Sequence, residues 1–229
     1  KRARMSRGVL VTALVTGTAL VGAGYYLTRQ QRPRALPTSV VSIITPVIDL
    51  GVAEEVLAAM QRIPGDEITV VLHTAGGCVT SCVLIANALR EFPRSTAIVP
   101  YMAISGGTLI ALNARALQMG RSASLSAVDP IVFGQRARHI SPQEQAPGVH
   151  ALAKEYERAM SRYLRETLAA RLPDASDAQL ERALGVFLGE DAPHEWPIRR
   201  HQVEALGLPV SPATRVWSDM VDGYRGRWW

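Results

Sequence analysis

Tyr101-Met102-Ala103-Ile104-Ser105-Gly106-Gly107-Thr108 is the stretch whose reading decides the fold. It follows an apolar run, Thr96 to Tyr101, that reads as a buried strand. It precedes Gly107 to Leu117, where Leu109, Ile110, Leu112, Ala116 and Leu117 recur at helical spacing. Ser105 therefore stands on a strand-to-helix turn. A hydroxyl there lies beside the first backbone N–H groups of a helix, which have no internal partner and sit at the positive end of the helix dipole. Such donors stabilise a developing oxyanion. Two readings are open from this stretch: Ser105 as a helix cap, or Ser105 as a nucleophile.

Immediately upstream the same pattern repeats. Ile68 to Leu72 reads as a strand running into His73-Thr74-Ala75-Gly76-Gly77, with a helix from Val79 to Arg90 behind it. Before that, Val40 to Ile48 reads as a strand, and Val52, Val56, Leu57, Met60 and Ile63 form a helical face that ends at Pro64-Gly65. Strand and helix alternate three times, which predicts an α/β domain with short crossovers. In a parallel sheet the Gly76-Gly77 and Ser105 turns end successive strands and lie side by side at one edge. Glycine at 76 and 77 lets the backbone approach a substrate closely. Gly77 and Gly106 are then the two candidate amide donors of an oxyanion hole.

Downstream of Gly120 the chain is less regular. Leu125 to Val128 reads as a short strand ending in Asp129-Pro130, and Gly134 to Gly148 as a polar loop. A long amphipathic helix follows, with Leu152, Tyr156, Ala159, Tyr163 and Leu168 on its apolar side. Asp174 or Ser176 caps another helix that runs to Leu188, and a short helix stops at Gly207. Cys78 and Cys82 share a helical face and read as two buried thiols, since no His or Cys partners stand at zinc spacing. No cofactor or metal is implied.

The outermost segments set the organisation. Gly8 to Leu27 is a run of 20 residues without charge or proline, about 30 Å as a helix and enough to cross a bilayer's hydrocarbon core. Arginines flank it, and Tyr25 and Tyr26 stand where interfacial aromatics stand. An uncleaved single-pass anchor in the cell membrane is expected, against a cleavable signal peptide or a buried helix. Residues 1–27 are thus read as the anchor, 28–39 as a proline-stiffened linker, 40–210 as the folded domain, and 211–229 as a Trp-rich tail that docks on the domain or a neighbouring subunit, with rest at a membrane interface as the alternative. The net charge of +5 is misleading about partners. Seven basic residues and no acid lie within residues 1–34, whereas the remainder holds 18 basic against 20 acidic residues. Nucleic-acid binding is not expected.

The ordered set His73-Thr74-Ala75-Gly76-Gly77, Ile104-Ser105-Gly106-Gly107-Thr108, Ala127-Val128-Asp129-Pro130, His194-Glu195-Trp196-Pro197-Ile198 and Leu206-Gly207-Leu208-Pro209-Val210 resembles the serine dehydrogenase proteinase family. That family is a membrane-associated relative of signal peptide peptidase A and of the proteolytic subunit of the Clp protease, within the Clp/crotonase fold. The resemblance spans about Val40 to Val210, and the 28 residues between Gly77 and Ser105 are close to the separation in the wider superfamily. It implies a Clp/crotonase-like spiral of strand-helix units. Ser105 matches the nucleophile, and Gly77 and Gly106 match the oxyanion donors. It also implies a peptide or protein substrate and a homo-oligomer.

The base has two candidates. Asp129 stands where the Clp subunit has its histidine and His194 near where that subunit has its aspartate, so the two roles are exchanged if His194 is the base and Asp129 orients it. Alternatively Lys154, 49 residues after Ser105, matches the spacing of the signal peptide peptidase dyad, although helical periodicity sets it opposite Leu152 and Tyr156. The first functional expectation is a membrane-anchored serine endopeptidase working through a Ser105 acyl-enzyme. The alternative is a catalytically silent scaffold for oligomerisation or partner binding at the membrane. Crotonase-type acyl-CoA chemistry is a third.

Overall fold

A computed structural model describes residues 14–15, 39–143 and 148–225 of the chain. The strands and helices follow in the order β1 (Leu14–Val15), β2 (Ser39–Ile44), α1 (Leu50–Gln61), β3 (Glu67–His73), α2 (Val79–Arg90), β4 (Arg94–Val99), β5 (Met102–Ala103) and α3 (Gly106–Asn113). Next come β6 (Ala116–Met119), β7 (Ser124–Leu125), β8 (Ile131–Val132) and β9 (Gln135–Arg136). The chain closes with α4 (Val149–Arg171), α5 (Asp177–Leu188), β10 (Ile198–Arg199), α6 (Arg200–Ala205), β11 (Val210–Pro212) and α7 (Arg215–Arg225).

The main sheet has the order β1-β2-β3-β4-β6-β11. All its pairings are parallel except β1 with β2. Both faces are covered, which explains why its strands read as near-continuous apolar runs. Alternate residues separate by face. Val41, Ile43, Val70, Leu72, Ala97 and Val99 enter the large core with the helices α1 to α5, whereas Val40, Val71 and Ile98 pack with Trp217 and Val221 of α7. The tail is therefore the second cover of the sheet, held by the buried Trp217.

A small sheet of order β10-β7-β5 stands beside the main one, with β5 and β7 parallel and β10 antiparallel to β7. This sheet positions the site. The C-terminal ends of β5 and β7 lead directly to Ser105 and to Asp129, and the segment entering β10 carries His194, so strand polarity alone brings the three to one edge. The sequence expectation differs in one respect. Ser105 does not follow the strand ending near Tyr101: the chain leaves β4 at Val99, crosses to β5 and turns from there. Adjacency to the glycine turn is restored by isolated bridges, Thr74 to Ala103 and Ile48 to Gly77.

Of the membrane helix expected over Gly8–Leu27, only Leu14–Val15 is described, and these residues pair antiparallel with Ser39 and Val40 of β2 instead of lying in a helix. The rest of that segment lies outside the described residues, as do most of the linker and the last four residues of the tail. No helix among the described residues is long and apolar enough to cross a membrane.

Candidate active site

Ser105 is the first residue before α3 and adopts φ 53°, ψ −117°. A side-chain-bearing residue there is sterically strained, at a cost of about 1–3 kcal/mol. It is the strained strand-to-helix turn that presents a serine hydroxyl in nucleophile elbows. The surroundings over-determine it. The Ser105 amide donates to Ser126 Oγ at 2.8 Å, the Ser126 amide donates to Thr108 Oγ1 at 2.9 Å, and the Thr108 hydroxyl donates to the Ala103 carbonyl at 2.6 Å. Ser105 makes no side-chain capping bond to α3, so its hydroxyl is not used as a helix cap.

The glycine turn is pressed against this elbow. A Cβ on Gly76, at φ 96°, would stand 2.8 Å from Ser105 Cβ and 2.9 Å from the Gly106 nitrogen. A Cβ on Gly77 would stand 2.1 Å from the Ile48 carbonyl oxygen, and one on Gly106 would stand 2.2 Å from Cys82 Sγ. That same Gly106 position is 3.6 Å from the Gly77 nitrogen, so the two turns meet. Among the described residues neither the Gly77 nor the Gly106 amide donates a backbone hydrogen bond. They are two close, unspent donors at the N-terminus of a helix whose other residues are all buried.

Asp129 and His194 are joined. His194 Nδ1 lies 2.8 Å from Asp129 Oδ1. Asp129 is 3% exposed, and Arg136 Nε donates to its second oxygen at 2.5 Å. Burial of the Asp129 carboxyl acts to raise its pKa, but the hydrogen bonds and charges of His194 and Arg136 outweigh it and hold the group below its ordinary value. An ionised carboxylate only accepts, so His194 Nδ1 carries the proton of this bond, and a ring with no second proton has Nε2 as its acceptor. Among the described hydrogen bonds none joins Ser105 Oγ to His194; such bonds commonly tighten only when substrate is held.

Ser105, Gly77, Gly106, Asp129 and His194 all line one cleft of about 240 Å³, with Val79, Leu109 and Met160 among its apolar walls. Lys154 is not brought there. Its side chain is 42% exposed and its Nζ donates to Glu157 at 2.8 Å, one helical turn away on the surface of α4. His73 packs edge-on against the Tyr101 ring, 5.8 Å between centroids, and does not line the cleft. The cysteines differ from expectation: Cys82 is buried and burial pushes its thiol up to about 12, but Cys78 is exposed, and hydrogen bonds from Ser81 hold its thiol below the usual value. Among the described residues no group of three His, Cys, Asp or Glu is placed to hold a metal ion.

A family model described as ClpP-like SDH-type serine proteinase matches residues 31–220. The chain belongs to that family. Two uncharacterized proteins of Methanocaldococcus jannaschii are also similar, one 33% identical over 168 residues and the other 28% identical over 172. Each match takes in 69% of this chain but only 58% and 57% of the relatives' own lengths.

For a ClpP-like SDH-type serine proteinase the arrangement makes chemical sense: a strained serine, two free amides and an oriented imidazole face one cleft. Sequence reading missed Arg136. Besides Asp129, its guanidinium donates to the Leu188, Gly189 and Ala192 carbonyls, tying the segment that leads to His194 onto β9. Ser126 was also missed, as was the part played by Thr108, which stands in the Ser105 motif; only the folded chain shows the two holding the elbow and brings Arg136 to the site.

Proposed function

We propose that the chain is a serine endopeptidase in which Ser105 Oγ attacks the scissile carbonyl carbon. His194 Nε2 takes the hydroxyl proton, and the Gly77 and Gly106 amides receive the negative oxygen. On collapse the C–N bond breaks, His194 returns the proton to the leaving amine, and Ser105 carries the acyl group as an ester. Water, deprotonated by His194, then releases the acid and regenerates the hydroxyl. Asp129 keeps the imidazole in the required tautomer and stabilises the imidazolium; Arg136 holds Asp129. His194 is preferred to Lys154 as base because it shares the cleft with Ser105, whereas Lys154 is exposed and paired with Glu157. The observation that carries this reading is the convergence of the Ser105 elbow with the Gly77 and Gly106 amides.

A homo-oligomer acting on peptide or protein substrates is part of the same proposal, and so is a membrane anchor. The uncharged run Gly8–Leu27 supports the anchor, and the pairing of Leu14–Val15 with β2 speaks against it. Extraction of cell membranes with alkaline carbonate decides between them: an anchored chain stays with the lipid pellet, and release into the supernatant removes the anchor from the account.

Hydrolysis of casein and of internally quenched peptides tests the activity. The purified protein is expected to cleave them, and Ser105→Ala to lower the rate at least ~10³-fold with an unchanged unfolding midpoint. Cleavage by Ser105→Ala at the parent rate would remove the assignment.

A further inference from the structure

A second groove of about 240 Å³ adjoins the candidate active site and shares Val79, Pro130 and Ile131 with it. Its remaining walls include Val132 and Phe133 of the β8–β9 hairpin and Leu152 and Tyr156 of α4. Four of these residues, Ile131, Phe133, Leu152 and Tyr156, are large, apolar and exposed, with Phe133 at 76%. Contiguous apolar surface of this kind marks a place where something binds.

Phe133 makes the case specific. It and Gly134 are the two loop residues between the paired Val132 and Gln135, with φ 49° and φ 81°. That is the two-residue turn with both central residues left-handed, where Asn-Gly is the favoured pair and a bulky side chain is strained. The ring does not offset that cost by burial. The turn therefore holds an aromatic ring at the edge of the groove against its own conformational preference.

We propose that this groove is a specificity subsite for a large aliphatic or aromatic side chain of the peptide substrate, at a position other than the residue that forms the ester with Ser105. The occupant follows from continuity: a peptide lying in the cleft beside Gly77 and Asp129 passes over Val79, Pro130 and Ile131 and delivers a neighbouring side chain to Phe133, Leu152 and Tyr156. The inference rests on the peptidase reading above.

The test uses internally quenched octapeptides that carry Leu or Asp in turn at each position except the ester-forming one. The expected result is one position at which Leu raises kcat/KM at least about tenfold over Asp. In the double variant Phe133→Asn, Leu152→Ser that ratio falls to about threefold or less, while the rate of Ser105 labelling by a simple alkyl fluorophosphonate is unchanged. Asn suits the turn, and both positions are exposed, so the variant retains its fold. A ratio that survives in the variant overturns the subsite, as does the lack of any selective position. A variant that changes the sedimentation coefficient and leaves selectivity intact assigns the face to contact between copies of the chain, which also overturns it. A chain that takes no label and cleaves none of the peptides fails as a peptidase, whereas one that is labelled and cleaves without selectivity loses only the subsite.

Discussion

At the scale of single residues, Asp129 ties acid stability to the site. Its carboxyl is buried and held by two donors, and its pKa in the folded chain lies below the ordinary 3.8. A depressed carboxylate contributes stability that is present above the unfolded-state pKa and lost as pH falls through the folded one. Thermal midpoints measured from about pH 6 to pH 2 should therefore fall more steeply for the parent than for Asp129→Asn, which begins lower and changes less. Parallel curves would show that Asp129 is not ionised in the folded chain. Ser105, Gly77, Gly106, Asp129 and His194 were legible because each sits in a short motif at a turn. Arg136 was not, because its partners at 129, 188, 189 and 192 are distant in sequence and no periodicity connects them.

At the scale of elements, the hairpin β8–β9 and the segment from Leu188 to His194 are held together through the Arg136 side chain. Arg136→Met removes the charge but keeps the length. It leaves a buried carboxylate without its cation and the Gly189 and Ala192 carbonyls without their donor, while Leu188 keeps Arg138, a loss of about 3 kcal/mol in unfolding free energy. Ser105 labelling should slow ten- to a hundredfold as His194 loses its fixed orientation, with Arg136→Lys recovering part of it. Labelling at the parent rate by Arg136→Met would show that Arg136 supports the fold and not the base.

Element boundaries show where pattern reading stops. Helix α2 has the limits its periodicity indicates, and Ser176 caps α5 through a capping box. The helix expected to reach Leu117 ends at Asn113, because Ala116–Met119 pairs with β4 and β11 in the main sheet. An apolar run continuing from a fully buried helix into a buried strand carries no change of period to mark the break. Asn113 marks it in the structure: its amide donates to the Leu109 carbonyl at 2.7 Å, and its oxygen accepts from Arg90 of α2. Helix α4 shows the converse. Its buried residues are Ala153, Met160, Leu164, Thr167 and Leu168, while Leu152 and Tyr156, which periodicity assigns to the core face, are exposed beside the cleft.

At the scale of the whole molecule, the alternating strands and helices indicated the α/β class, and the covered parallel sheet follows from it. The small sheet β10-β7-β5 was beyond reach, since strands of two residues leave almost no hydrophobic signature. Yet that sheet, together with the bridges at Gly77 and Ala103, is what gathers turns separated by up to 117 residues, Gly77 to His194, into one cleft. The central claim is that the fold exists to make one hydroxyl reactive there. The most direct test is to react the folded protein with an alkyl fluorophosphonate and locate the adduct by peptide mass mapping. The account predicts a single phosphonylated residue, Ser105, formed at least ~10²-fold more slowly in His194→Ala. An adduct on any other residue, or none on a protein shown to be folded, would contradict it.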